Sequence, residues 1–340
     1  MPVPLQRDPA RTRDVLAAWC SARLGARVGV GALEIPRGQG FGNETVLFEA
    51  SWTGGHERLV ARIAASTYQV YPEVRFAEQY RLLEILGEKG IPVPRGFGFE
   101  PDPGLLGAPF FVMSRVDGRV PADLPSYHRS GWVASLAETD QEALWYNGID
   151  ALAAIHRLDP ATFGFLAGDD LLEHYATRLD FFGVADDGVV GRALSWLRSY
   201  RPQWTNSALL WGDARLGNLI FDGVSVAGVL DWEMAQLGPP EADLAWFLYL
   251  DRHLSEGVGA SRLPGLPSRA ETIARYEAGT GRPVGDLGYF EVLAGFRFAL
   301  ITARVTELLR RQEVVPADFP LHRNAVALLA RTLDELTVSY

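Results

Sequence analysis

The stretch from Leu209 to Asp243 constrains this chain more than any other part of it: L-L-W-G-D-A-R-L-G-N-L-I-F-D-G-V-S-V-A-G-V-L-D-W-E-M-A-Q-L-G-P-P-E-A-D. At its centre, Asn218–Phe221 and Val224–Leu230 read as two strands joined by the turn pair Asp222-Gly223. Asp213 and Asn218 bracket the approach to this hairpin, and Asp231 ends its second strand. An antiparallel hairpin returns its end to its start, so the three side chains can converge on one small volume. Two carboxylates and an amide oxygen are hard ligands, the set that Mg²⁺ takes together with phosphate oxygens. A carboxylate beside a hydroxyl can also orient it or accept its proton. The bland alternative is three turn residues flanking a hairpin, positions that Asp and Asn favour anyway.

Composition bounds the rest. With 340 residues, 48% of them hydrophobic, the chain can bury a sizeable core without disulfide staples. A single Cys excludes an internal disulfide, and six scattered His with no H-E-x-x-H pair speak against a dedicated zinc site. A formal charge of -10 argues against nucleic acid as the main partner. No stretch approaches the roughly 18–20 apolar residues of a membrane span, and Leu244–Leu250, ended by Asp251, reads as a buried helix. The first residues have no apolar segment of the signal-peptide kind, so a cytoplasmic location is expected.

Ahead of the hairpin the chain changes character once. Its first hundred or so residues read as strands with one helix: Val28–Ile35, Thr45–Trp52 and Arg58–Ile63 are β-leaning, and Glu73–Leu86 has helical spacing. Pro109–Met113 reads as a buried strand, and beyond Asp117-Gly118 helical runs such as Ile149–Leu158 and Val292–Leu309 dominate. The run Gly38-Gln-Gly-Phe-Gly42 is followed by a strand, which suits a glycine-rich hairpin loop that covers phosphates, or an ordinary flexible hairpin, better than a dinucleotide turn. Arg62 lies inside an apolar strand and needs a carboxylate or phosphate there; Glu78 on the following helix is the natural partner. The string Gly223-Val-Ser-Val-Ala227 begins like a hydrolase elbow but sits inside a hairpin, so that chemistry is set aside.

The D-x-x-x-x-N…D pattern resembles that of kinase-fold phosphotransferases, and more narrowly the aminoglycoside phosphotransferase and choline kinase family. Here W-G-D-A-R-L-G-N, D-W-E and E-A-D-L-A resemble the family's H-G-D-x-x-x-x-N, D-W and D-L-A strings. Met113-Ser-Arg-Val-Asp-Gly118 resembles its hinge, Ile155-His-Arg-Leu-Asp159 its L-H-x-x-D helix end, and Gly42-Asn-Glu-Thr45 its S-N-E-T. The D-A-R-L-G-N and D-W-E-M-A strings look nearest to bacterial phosphotransferases related to the kinase-like domains of acyl-CoA dehydrogenase proteins.

The resemblance implies an α+β, two-lobed protein-kinase-like fold: a small β-rich N-lobe over residues 1–113, a hinge over 114–118 and a mainly helical C-lobe over 119–340. It implies transfer of the γ-phosphate of ATP or GTP to a hydroxyl of a small molecule, with no nucleic-acid or membrane partner. Asp213 would be the catalytic base; Asn218 and Asp231 would hold Mg²⁺, with Glu233 a further contributor. Gly40, Gly42 and Asn43 would lie over the phosphates, Arg62 would contact them, and Glu78, or Gln79 by another register, would pair with Arg62. Met113, Ser114 and Val116 would meet the adenine, while His156 and Asp243 would be structural, Asp243 also capping a helix. Trp211 stands where the family has His, Arg62 where it has Lys, and Gly42 where it has Ser. The first two departures motivate a rival reading as a nucleotide-binding scaffold without transfer activity.

Overall fold

A computed structural model describes residues 7–36, 42–65, 69–73, 75–166, 168, 170–204 and 206–337. The chain divides into two compact units. The first comprises Met1–Glu88, Val93–Val116 and Leu308–Ala317, and the second comprises Lys89–Pro92, Asp117–Glu307 and Asp318–Tyr340.

The first unit is built on an antiparallel sheet. Its strands are β1 (Gly29–Val30), β2 (Glu44–Trp52), β3 (Gly55–Ile63), β4 (Gly96–Glu100) and β5 (Phe110–Ser114), in the order β1-β2-β3-β5-β4. Period-two alternation sets the face of β2: Val46, Phe48 and Ala50 are buried while the residues between them are not. Two helices, not the single one expected, pack on this sheet. Helix α1 (Pro9–Leu24) starts where Asp8 accepts a hydrogen bond from the Ala10 N–H at 3.0 Å, and Pro9 presets the first turn. It buries Thr12, Leu16 and Cys20, and Trp19 meets Phe110 edge-on at 5.3 Å. Helix α2 (Phe76–Glu88) sets Tyr80 and Phe76 against Phe111.

The second unit is mainly helical: α3 (Glu138–His156), α4 (Leu171–Ala176), α5 (Leu179–Phe182), α6 (Gly188–Ser199), α7 (Glu241–Leu254), α8 (Arg269–Thr280), most of α9 (Leu287–Arg311) and α10 (Leu321–Thr337). Two antiparallel ribbons are embedded in it. Strand β6 (Ala208–Leu210) pairs with β9 (Gln236–Gly238), and β7 (Leu219–Asp222) pairs with β8 (Ser225–Val229). Trp145 on α3 and Phe247 on α7 meet edge-on at 5.0 Å in its core. Asp251, which ends the apolar run of α7, is buried with the Tyr127 hydroxyl at 2.6 Å, His128 Nε2 at 3.0 Å and Arg262 Nε at 2.7 Å. Burial opposes its charge, but His128 and Arg262 hold the carboxyl below its ordinary range. Among the described residues no helix is long and apolar enough to cross a membrane.

Candidate active site

Asp213 and Asn218 of the second unit meet side chain to side chain, and the hairpin returns the chain to Asp231 close by in sequence register. The register Leu219↔Val229 closes the β7–β8 hairpin, and the Leu230 N–H donates to the Asn218 carbonyl at 2.9 Å, so Leu230 stands across from Asn218 and Asp231 is the next residue along the chain. Asn218 is buried, and its Nδ2 donates to the Asp213 carbonyl at 3.0 Å and to Asp213 Oδ2 at 2.7 Å. With Nδ2 so committed, Oδ1 of Asn218 faces the other way and is a hard acceptor for a cation. Asp231 has φ 62, one of two non-glycine residues among those described that adopt the left-handed region. Such a conformation costs of order 1–3 kcal/mol and persists where the surroundings over-determine it, often at functional positions. Glu233 is half-buried in the turn that follows.

The loop carrying Asp213 is held from below by Asp243. This residue is fully buried; its Oδ2 accepts the Trp211 N–H at 2.6 Å and its Oδ1 accepts the Gly212 N–H at 3.0 Å. His156 Nε2 lies 3.2 Å from Asp243 Oδ2, and its Nδ1 lies 2.6 Å from the Tyr276 hydroxyl. The Asp243 carboxylate, already accepting two backbone N–H groups, can only accept, so Nε2 carries the proton toward it and Nδ1 accepts from the Tyr276 hydroxyl. The expected helix cap is not formed, because α7 begins at Glu241 with Pro240 at the cap position. Asp243 already sits inside the first turn, where its carboxylate is aimed at the loop. Gly212 has φ 90, and a Cβ there would lie 2.2 Å from the Met234 carbonyl oxygen, so only glycine fits. Trp211, fully buried in place of the family histidine, donates its indole N–H to the Leu230 carbonyl at 2.7 Å. That bond ties the Asp213 loop to the residue preceding Asp231.

Residues that the sequence reading did not single out complete the site. Arg215 donates through Nε to Asp213 Oδ2 at 3.0 Å and through Nη1 to Asp123 Oδ2. Burial works against the Arg215 charge, but Asp123 and Asp213, with Asp231 adding to them, outweigh it and hold the guanidinium above its ordinary value. The Trp246 indole N–H donates to Asp213 Oδ1 at 2.8 Å. Arg297 donates to the Gly212 carbonyl at 3.2 Å. Gly118, at φ 139, lets Arg119 pair with Phe221 on β7; a Cβ there would lie 2.5 Å from the Phe221 carbonyl oxygen.

The residues expected to meet a nucleotide lie in the first unit, with the exception of Gly40, which falls outside the described residues. Gly42 and Asn43 form the bend leading into β2, and Asn43 Oδ1 accepts the Ala65 N–H at 3.4 Å. Arg62 stands across from Thr45 in the β2–β3 register and donates to its hydroxyl at 2.8 Å. Among the described residues no ion pair joins Arg62 to Glu78, which is half-buried in the first turn of α2, while Gln79 beside it is buried. The cross-strand hydroxyl is the nearer hydrogen-bonding partner for a side chain on that face of the sheet. Met113 and Ser114 end β5; the Ser114 N–H donates to the Arg95 carbonyl at 2.8 Å, and Val116 lies two residues beyond the strand.

Solved structures share this architecture. A Ralstonia eutropha protein assigned to the aminoglycoside phosphotransferases superposes with TM-score 0.72 at 22% identity, over 94% of this chain and 97% of that one. A thermostable variant of aminoglycoside phosphotransferase APH(4)-Ia, held with AMP-PNP and hygromycin B, gives 0.60 at 15% identity over 93% of this chain and 98% of that one. The fold is therefore the kinase-like α+β fold of small-molecule phosphotransferases. Residues 34–279 match the phosphotransferase enzyme family, and the chain belongs to it. Acyl-CoA dehydrogenase family member 10 of Mus musculus is 25% identical over 330 residues. The match covers 88% of this chain and 28% of that relative, so the chain spans under a third of its length.

Proposed function

We propose that this protein transfers the γ-phosphate of ATP to a hydroxyl of a small molecule. The observation that carries the reading is the Asn218 clamp: its Nδ2 orients Asp213, which leaves its Oδ1 uncommitted to that loop, one residue pair from Asp231 in the hairpin. The donor set suits Mg²⁺, since one amide oxygen and one carboxylate, with Glu233 nearby, leave room for the phosphate oxygens and waters this ion retains. When bound, Mg²⁺ would neutralise the charge of the transferred phosphate. Asp213 would orient the acceptor hydroxyl and take its proton, and Arg215, fixed between Asp213 and Asp123, would place a cation beside the transferred group.

In the first unit, Gly42 and Asn43 would lie over the phosphates and Arg62 would contact them, with its guanidinium fork suited to phosphate. Because the Ser114 N–H is used within the sheet, adenine would meet the Ser114 carbonyl and the Val116 N–H, with Met113 behind the ring. The complex of APH(4)-Ia with AMP-PNP and hygromycin B supports nucleotide use and a hydroxylated acceptor. The likeness to acyl-CoA dehydrogenase family member 10 favours a hydroxylated metabolite over an antibiotic. The rival scaffold reading drew on Trp211 and Arg62, and the Trp211 indole supplies the loop-to-hairpin hydrogen bond that a supporting residue there would need to make.

The test is thermal stabilisation by ATP with Mg²⁺, followed by an acceptor screen read by ADP release. Asp213→Ala should abolish transfer and leave nucleotide binding nearly intact, whereas Asp231→Ala should remove the Mg²⁺ dependence of binding. Transfer by Asp213→Ala within about tenfold of wild type, only about 1.4 kcal/mol in barrier, would refute the role assigned to Asp213.

A further inference from the structure

On the phosphotransfer reading, the surroundings of Asp213 distinguish its two oxygens. Oδ2 accepts from Asn218 Nδ2 at 2.7 Å and from Arg215 Nε at 3.0 Å, which fills its two acceptor sites. Among the described residues Oδ1 accepts one bond, from the Trp246 indole at 2.8 Å, which leaves its second acceptor site for another donor. Trp246 comes from α7 and is buried. Behind its ring lies Arg297 of α9, with the guanidinium carbon 4.6 Å from the Trp246 centroid and 5.2 Å from that of Tyr175.

Arg297 is only 2% exposed, and its Nε has no hydrogen-bond partner among the described residues. A cation buried on so few bonds adds little to packing that an apolar side chain could not supply. What Arg297 has is placement: it touches the ring that holds Asp213 and donates to the carbonyl of Gly212, the residue before it. A cation over an indole face draws on its π density and strengthens the ring N–H as a donor.

We propose that Trp246, backed by Arg297, is a positioning residue that turns the open acceptor site of Asp213 Oδ1 toward the acceptor hydroxyl. In the step it serves, the hydroxyl oxygen bonds to the γ-phosphorus of ATP while the bridging bond to the β-phosphate breaks. ADP leaves with that electron pair, and the hydroxyl proton passes to Asp213 Oδ1.

Trp246→Phe keeps an aromatic ring against Arg297 and removes the N–H. With Mg²⁺-ATP, and water as the acceptor probe, this variant should lose about tenfold or more in kcat with the KM for ATP within about twofold. In a proton–nitrogen correlation spectrum, the indole signal that vanishes in Trp246→Phe should move in Asp213→Asn. An unmoved signal, a kcat within about threefold of wild type, or an equal loss of ATP affinity would each overturn the proposal. If the wild-type protein turns over no ATP, the phosphotransfer reading falls and the proposal with it; if Asp213→Asn retains turnover, the role of Asp213 and this proposal fall together; if only Trp246→Phe retains turnover, the proposal alone fails. Should Trp246→Phe not fold, Arg297→Lys is expected to keep more of kcat than Arg297→Met, and equal losses would overturn the role of the charge.

Discussion

Replacing Asp243 by Asn changes one atom and one charge in a fully buried side chain. The carboxylate accepts three hydrogen bonds: from the Trp211 and Gly212 N–H groups on opposite oxygens, and from His156 Nε2. An asparagine has one oxygen and one NH₂, so either orientation sets an NH₂ against one of those two backbone N–H groups. Each buried donor left unsatisfied costs about 1–3 kcal/mol, and two are created, one on the loop and one on the amide itself. Weakening of the surviving charge-assisted bonds adds to this, for a total of roughly 3–5 kcal/mol. Urea unfolding of Asp243→Asn, followed by near-ultraviolet circular dichroism for the tryptophans around the loop, should show this loss. ATP turnover should fall further than stability alone explains, because the Asp213 loop loses its support. A stability change below about 1 kcal/mol would refute the premise that this buried carboxylate fixes the loop through its charge.

Two further outcomes follow from buried titratable groups. His253 is buried on α7 against Phe298 at 4.6 Å, its Nδ1 has no partner among the described residues, and burial pushes it down to about 4. The unfolded chain therefore takes up the proton first, near pH 6.5, so stability is full above that pH and is lost as pH falls toward 4, by up to roughly 3 kcal/mol. His253→Leu should flatten that part of the urea stability–pH curve, and an unchanged slope would contradict the assignment. Cys20 is buried on α1, and burial raises its thiol to about 11, so iodoacetamide at pH 8 should label the unfolded chain and spare the native one. Cys20→Ala should leave phosphotransfer unchanged, and a loss of activity on that substitution would show a role the site does not require.

Much of the site could be read directly because it is local. Asp213, Asn218 and Asp231 belong to one loop and one hairpin, and hairpin register follows from turn chemistry and alternation within a few residues. Less local features escaped. Helix α1 carries its own signals, an Asp8 cap, Pro9 and burial of Leu16 and Cys20, but its weak amphipathic contrast conceals it among polar neighbours. Strand β9 is three residues long and has no alternation to detect; its pairing with β6 comes from the path of the chain. The expected Arg62–Glu78 pair fails for a related reason, since the cross-strand hydroxyl of Thr45 is set by sheet register while a helix partner depends on packing.

By itself, the sequence determined the chemistry available to this protein: the phosphotransferase family, the kinase-like fold class, and the acid and amide groups carried by the hairpin. These rest on residue identity and short spacing, which survive any arrangement of the remaining chain. Only the tertiary structure decided how those groups are held. Asp243 and His156 brace the loop, Trp211 ties it to the hairpin, Arg215 is fixed by Asp123, and Trp246 with Arg297 stands against Asp213. Those partners come from separate helices and loops, and what brings them together is the burial of a shared core, whose contacts no short spacing encodes.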